Sequence, residues 1–310
     1  DYFKAVSQIS QKIDKSMKKL LLLLMRLMKG CIWGITILFL GWILLQTVLF
    51  ASFKVPTDSM VPALLPGDNI IVNKLPMGAR LFNLSAAFRQ ERFVVYRLPA
   101  LGGIKRNDVL VFNFPYPQHR DSIGFDILKY YVKRCVALPG DSISIHNYHY
   151  CVAGYEKDLG NIKSQDSMKE RLQQLPENAR KRYSFQTYPW NDSIHWNVCN
   201  FGPLYIPRMN DVIVMNRKNY LLYRHLIEWE QQKKLQWKGE KAYLDHHRIT
   251  SYRFRTNYYF MAGDRVFNSQ DSRYWGLLPE EYIVGRASFI WKSTDNEGKI
   301  RWKRIFKSIT

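Results

Sequence analysis

The pattern of apolar and polar positions changes twice along this chain. From Gly30 to Phe53 no residue is charged, and the polar members are Thr36, Gln46, Thr47 and Ser52, with Cys31 beside the start. That run exceeds the roughly 20 residues a helix needs to cross a bilayer. It predicts one transmembrane anchor over 30–53. A cleaved secretory leader would carry an apolar stretch of only about 7–15 residues, so the anchor is expected to be retained. Leu20 to Met28 extends the helix inward or lies at the interface. The chain opens on Asp1 instead of Met, as a piece of a longer N-terminus would.

After the anchor the apolar positions come in short runs punctuated by Pro, Gly and Asp. Strands are expected at Asn69–Lys74 (after the Pro66-Gly67-Asp68 turn), Asp108–Phe114, Lys129–Leu138, Ser142–Ile145, Tyr258–Asp264 and Ile283–Trp291. Such spacing predicts an antiparallel sheet or barrel. From 152 to 250 the texture shifts again. Lys157–Tyr183 is polar, with a short helix expected over Gln165–Leu175. Phe201–Pro207 reads as a return to the core near 201–215. Tyr220–Lys234 has helical periodicity, with Leu222, Leu226 and Trp229 on one face. The fold class is therefore mostly β: an antiparallel β-sheet or barrel core, an inserted α+β subdomain, and one N-terminal transmembrane helix. The expected divisions are a basic segment at 1–29, the anchor at 30–53, core at 54–151, an insertion at 152–250, and core plus a basic tail at 251–310.

With 310 residues, 46% of them hydrophobic and 15% aromatic, the chain can bury a sizeable core. Its formal net charge of +20 fits an anionic surface. No zinc-finger spacing, RNA-binding aromatic signature or compact basic helix accompanies that charge, so nucleic acid is not expected as a partner. A lipid bilayer is. Lys4, Lys12, Lys15, Lys18, Lys19, Arg26 and Lys29 precede the apolar run, against Asp1 and Asp14. The positive-inside tendency places the N-terminus in the cytoplasm and the rest outside. Of the four cysteines, Cys151 and Cys199 flank the insertion, and an oxidising compartment would permit a bridge between them.

The candidate chemistry lies in two stretches. Pro56-Thr57-Asp58-Ser59-Met60-Val61-Pro62 follows the apolar run, and Tyr131-Val132-Lys133-Arg134-Cys135 lies in a predicted strand. A serine hydroxyl is a weak nucleophile and needs a base within hydrogen-bond reach. No Gly-x-Ser-x-Gly elbow is present. The histidines (His119, His146, His149, His195, His225, His246, His247) form no paired motif, and no Cys-x-x-Cys or His-Glu-x-x-His occurs, so neither a metal nor another cofactor is expected. Lys133 is the better base. Desolvation among apolar neighbours disfavours an ammonium and can lower its pKa by several units. Strand alternation puts Lys133 on one face with Tyr131 and Cys135, and Val132 and Arg134 on the other.

Four motifs together resemble the type I signal peptidases, the Ser/Lys proteases. Pro56 to Asp68 resembles the nucleophile box and Arg106–Phe112 the next. Tyr131–Asp141 resembles the general-base box, and Gly263–Gly276 the last. The resemblance runs from about residue 30 to about 295. It implies a membrane-anchored serine endopeptidase that removes signal peptides from secreted precursors. The precursor lies extended along a sheet edge, with small residues entering shallow pockets one and three positions before the cut. The implied setting is the inner (cytoplasmic) membrane, single-pass, with the catalytic part on the outer face, and a monomer is expected.

The resemblance also implies roles: Ser59 nucleophile, Lys133 general base, and the Thr57 hydroxyl with the Ser59 N–H as oxyanion hole. Ser269 holds the lysine amine, and Asp271 and Arg273, with Arg134 nearby, support the site. Two departures stand out. Arg265-Val266-Phe267 follows Gly263-Asp264 where the family usually reads Asn-Arg, and Ala63 replaces a common Thr. The first motivates a rival reading: a paralogue that binds precursors or an assembly partner without cleaving them. A self-cleaving repressor-type protease is disfavoured by the anchor and by the lack of an N-terminal DNA-binding helix pair.

Overall fold

The computed structural model describes residues 2–89, 94–119, 121–177 and 187–309, with side chains from residue 15 onward. Two compact units divide at Leu49/Phe50. The first is a single helix, Tyr2–Val48. Its stretch Lys15–Val48 is long and apolar enough to cross a membrane. Its large apolar side chains, such as Leu22, Trp33 and Leu38, are exposed. The helix stops five residues before the apolar run does. Phe50–Lys54 is instead a strand that pairs antiparallel with Asp68–Asn73 from Phe50↔Asn73 to Lys54↔Asn69. Absence of charge cannot separate the end of an apolar helix from the edge of a sheet.

The second unit is built on a seven-stranded antiparallel sheet. Its order is Phe50–Lys54, Asp68–Asn73, Ile283–Ser293, Val109–Asn113, Tyr130–Ala137, Tyr258–Ala262 and Leu278–Pro279. The expected strands all form, within one or two residues of their predicted ends. Tyr130–Ala137 lies inside the sheet, paired Leu110↔Lys133 on one side and Ala262↔Arg134 on the other. One apolar cluster, including Val55, Met60, Leu64, Ile70, Val72 and Val111, packs near the first strands. Another gathers Leu110, Phe112, Cys135, Met261, Trp275 and Ile283.

The 152–250 region packs against the same core. Phe201–Tyr205 pairs with Ser142–His146. The two helices run Ile162–Gln173 and Arg217–Gln231, each capped by an Asn side chain, Asn161 and Asn216. The second buries Leu222, Tyr223, Leu226 and Ile227, while Trp229 is only half-buried. The end of the polar Lys157–Tyr183 stretch lies outside the described residues. Cys151 and Cys199 are not bridged. Tyr150 and Val152 face the core, so alternation turns Cys151 out to solvent, while Cys199 packs in a small cluster with Tyr148 and Met168.

The loop between the first two strands carries Ser59. It is pinned from both ends. Val55 N–H donates to Asp68 O (2.8 Å), and Gly67 N–H donates to Val55 O (2.9 Å). Asp68 is fully buried. It accepts from Arg304 Nη2 (2.6 Å) and Nε (3.0 Å), Ser293 Oγ (2.6 Å) and Leu65 N–H (2.8 Å). Burial alone would raise its carboxyl pKa, but the Arg304 and Ser293 bonds and the Leu65 N–H outweigh that and hold it below the ordinary value. Arg304 Nη2 also donates to Ala63 O (3.0 Å), so the C-terminal tail fastens the nucleophile loop.

Arg304→Ala removes the two bonds of the nearer cation and leaves Asp68 only the longer Arg301 contact (3.8 Å), so it should lower the unfolding free energy by about 3 kcal/mol. Denaturant titration of the detergent-solubilised chain, read by tryptophan fluorescence, measures this. Because folding lowers the Asp68 pKa, its contribution is present above about pH 4 and is lost as pH falls through the folded value. Asp68→Asn should flatten that acid limb.

Candidate active site

Ser59 is set by its successor. Met60 is 1% exposed and, with Val55 and Leu64, anchors the loop in the core. Burying such a side chain contributes about 2 kcal/mol. Val61 N–H donates to Asp58 O (3.0 Å) and Leu64 N–H to Met60 O (2.9 Å), closing a tight turn at the serine. Lys133 reaches Ser59 from the inner strand: its Nζ lies 2.5 Å from Ser59 Oγ. The two residues are 74 positions apart in sequence, and both are buried.

The lysine is held in a dry setting. Burial pushes its pKa down to about 8, with Arg273 acting in the same direction; Asp271, Asp264 and Asp58 offset part of this. Its Nζ stands 5.5 Å from the centre of the Tyr131 ring. Arg134, next in sequence, takes another direction. It grips Asp264 with two bonds of 2.7 Å and donates to Asn107 O (2.7 Å). Its ion pair is thus with Asp264, next to Gly263, and is separate from the Asp271–Arg273 pair. Asp264 is the residue the motif reading left without a role. Alternation gave the hint, since a second buried cation on the strand needs its own carboxylate.

Asp271 and Arg273 form a buried pair. Arg273 Nε and Nη2 each donate to the Asp271 carboxylate at 2.8 Å, and Nη2 also donates to Val266 O (2.9 Å). Burial alone would lower the Arg273 pKa, but Asp271 overrides it and raises it. Gly263 N–H donates to Asp271 Oδ2 (3.0 Å), tying this pair to the turn that faces the nucleophile. Thr57 is exposed, two residues before Ser59.

Ser269 is 7% exposed, and its Oγ has no hydrogen-bond partner among the described residues. The bond to the lysine amine expected from the sequence is not formed. Ser269 is nevertheless at the site. A Cβ built on Gly263 would overlap Ser269 Oγ and stand 2.5 Å from its Cβ and 2.8 Å from the Ser59 carbonyl oxygen. The two serines therefore meet across Gly263.

The altered segment turns toward the nucleophile. Arg265 N–H donates to Ser59 O (3.0 Å). The Arg265 guanidinium pairs with Asp58, and Asn268 Nδ2 donates to the other Asp58 carboxylate oxygen (3.0 Å). The sequence departure and the Asp beside the serine thus complement each other. No group of His, Cys, Asp and Glu able to hold a metal occurs among the described residues.

Gly263→Ala tests this packing. The added methyl group must push Ser59 and Ser269 apart, and a displacement of about 1 Å at a reacting group can cost about 100-fold in rate. Cleavage should fall by about that factor while the thermal midpoint moves little. An unchanged rate would show that the two serines do not meet across this glycine.

The family profile "Signal peptidase, peptidase S26" matches residues 26–292. Signal peptidase I of Buchnera aphidicola (subspecies Baizongia pistaciae) is 28% identical over 251 residues, covering 80% of this chain and 71% of that protein. Signal peptidase I of Pseudomonas fluorescens is 27% identical over 261 residues, covering 81% and 68%. A crystal structure of a signal peptidase I from Enterococcus faecalis matches with TM-score 0.29 and 15% identity, over 61% of this chain and all of that one. The profile spans most of the chain, which therefore belongs to the signal peptidase family, peptidase S26, and is a serine endopeptidase of that type.

Proposed function

We propose that this endopeptidase removes signal peptides from secreted precursors with Ser59 as nucleophile and Lys133 as general base. The observation that carries the reading is the 2.5 Å approach of a buried lysine amine to the serine hydroxyl. Neutral Lys133 takes the proton as Ser59 Oγ attacks the carbonyl carbon. The ammonium then gives that proton to the leaving nitrogen as the C–N bond breaks. Water, deprotonated by the same amine, attacks the acyl ester, and the proton returns to Ser59 Oγ. The Thr57 hydroxyl and Ser59 N–H donate to the developing oxyanion, where such donors act only as charge forms. Asp271 and Arg273 steady the turn behind the lysine, and Arg134 with Asp264 holds the strand that carries it.

The Lys15–Val48 helix serves as the anchor. With basic residues before its uncharged stretch from Gly30, the N-terminus lies in the cytoplasm and the catalytic unit on the outer face of the inner membrane, acting as a monomer. The non-cleaving alternative rested on the altered Arg265–Phe267 segment. That segment keeps its backbone bond to Ser59 O, which favours an active enzyme.

Ser59→Ala and Lys133→Met should each abolish cleavage of a secretory precursor by the purified protein in detergent. Cleavage surviving Lys133→Met contradicts the mechanism. Because the base must be neutral, kcat/KM should rise with pH through about 8. Thr57→Val should lower kcat by about 100-fold with little change in KM, the scale of losing one oxyanion donor.

A further inference from the structure

A cleft of about 390 Å³ is lined by Phe114, Tyr116, Trp190, Phe267, Ser269 and Trp275. That volume is within the range of sites that enclose a small ligand. Two sets of contacts link its lining to the Ser59–Lys133 pair. The Tyr131 ring, 5.5 Å from Lys133 Nζ, stacks on Phe114 with centroids 4.4 Å apart, and Ser269 meets Ser59 across Gly263. Both Tyr116 OH and Ser269 Oγ are buried without a hydrogen-bond partner among the described residues, and both line this one cleft. A buried hydroxyl left unpaired loses the bond it made to water, so two at one cleft mark a place where a partner binds.

Trp190 comes from the 152–250 region and is fixed there. Its Nε1–H donates to Tyr274 O (2.7 Å), and its backbone takes φ 59°, an uncommon and costly conformation for a non-glycine residue. The neighbouring Tyr188 N–H donates to Arg273 O (2.9 Å), which binds this loop to the turn carrying Asp271 and Arg273. A strained tryptophan held by two bonded contacts is built to be a wall.

On the proposed function, Lys133 hands its proton to the leaving nitrogen, so the chain that follows the cut departs from the lysine side of Ser59. The cleft is linked to that side through Phe114, which stacks on the lysine's own neighbour Tyr131. We propose that it is a subsite for one bulky aromatic side chain among the first residues after the cut, with Tyr116 OH and Ser269 Oγ bonding the polar atoms of that stretch. The insertion would then help set which mature N-termini are processed well.

The test uses precursor-derived peptides in which each of the first five positions after the cut is Ala, Phe or Asp. Binding is measured on the full-length Ser59→Ala protein in detergent, and kcat/KM on the unaltered chain. At one of these positions Phe should bind at least about tenfold tighter than Ala, the scale of burying one aromatic ring, and Asp weakest. Adding Trp190→Ala should bring the Phe-to-Ala ratio close to one. Should that variant fail to fold, Phe267→Ala, which removes a more exposed apolar wall of the same cleft, should reduce the ratio in part. Absence of a preference at all five positions, or a ratio unchanged by both variants, overturns the proposal. Binding preference without cleavage by the unaltered chain would refute the Ser/Lys mechanism and leave the subsite standing.

Discussion

An amine can serve as a base near neutral pH only if its ammonium form is kept out of water, and this site is arranged around that constraint. Lys133 sits on an interior strand with paired neighbours on both sides, where solvent cannot reach its stem. Its aromatic neighbour Tyr131 covers one flank. A carboxylate bonded directly to Lys133 would restore the charge, so the nearby acids must be occupied elsewhere. Asp271 is spent on Arg273 and Asp264 on Arg134, each by two charge-assisted bonds. The ion pairs therefore act through restraint: they bring structure close to the lysine without neutralising the desolvation that makes it basic.

The nucleophile is placed by a different device. Its loop is short and carries its own apolar anchors, Val55, Met60 and Leu64. The remaining freedom is removed from far away, by Arg304 on Asp68 and by Arg265 and Asn268 on Asp58. Rigid positioning of this kind suits a hydroxyl that must lie within hydrogen-bond reach of its base.

Much of this was legible in the sequence because it is local. Period-two alternation and Pro-Gly-Asp turns located the strands, and alternation around Lys133 and Arg134 foretold that the two cations part company. What was not legible depends on contacts between distant segments. Asp68 and Arg304 are separated by 236 positions, and Asp58 and Arg265 by 207. No spacing rule links such pairs. The end of the anchor was misplaced because Phe50–Phe53 is as uncharged as a helix yet satisfies its backbone on Asp68–Asn73. Ser269 was found by motif, but its unpaired hydroxyl and the aromatic cleft around it became visible only once Trp190 of the insertion met Tyr274.

The most direct measurement of the central claim is the titration of Lys133 itself. Selective isotope labelling of lysine, with NMR of the ε-methylene in detergent and Lys133→Met to assign the signal, gives its pKa in the resting enzyme. A midpoint near 8 is predicted. A midpoint at about 10.4, the value of a lysine in water, would contradict the account, because the amine would then be an ammonium at the pH where it must accept a proton.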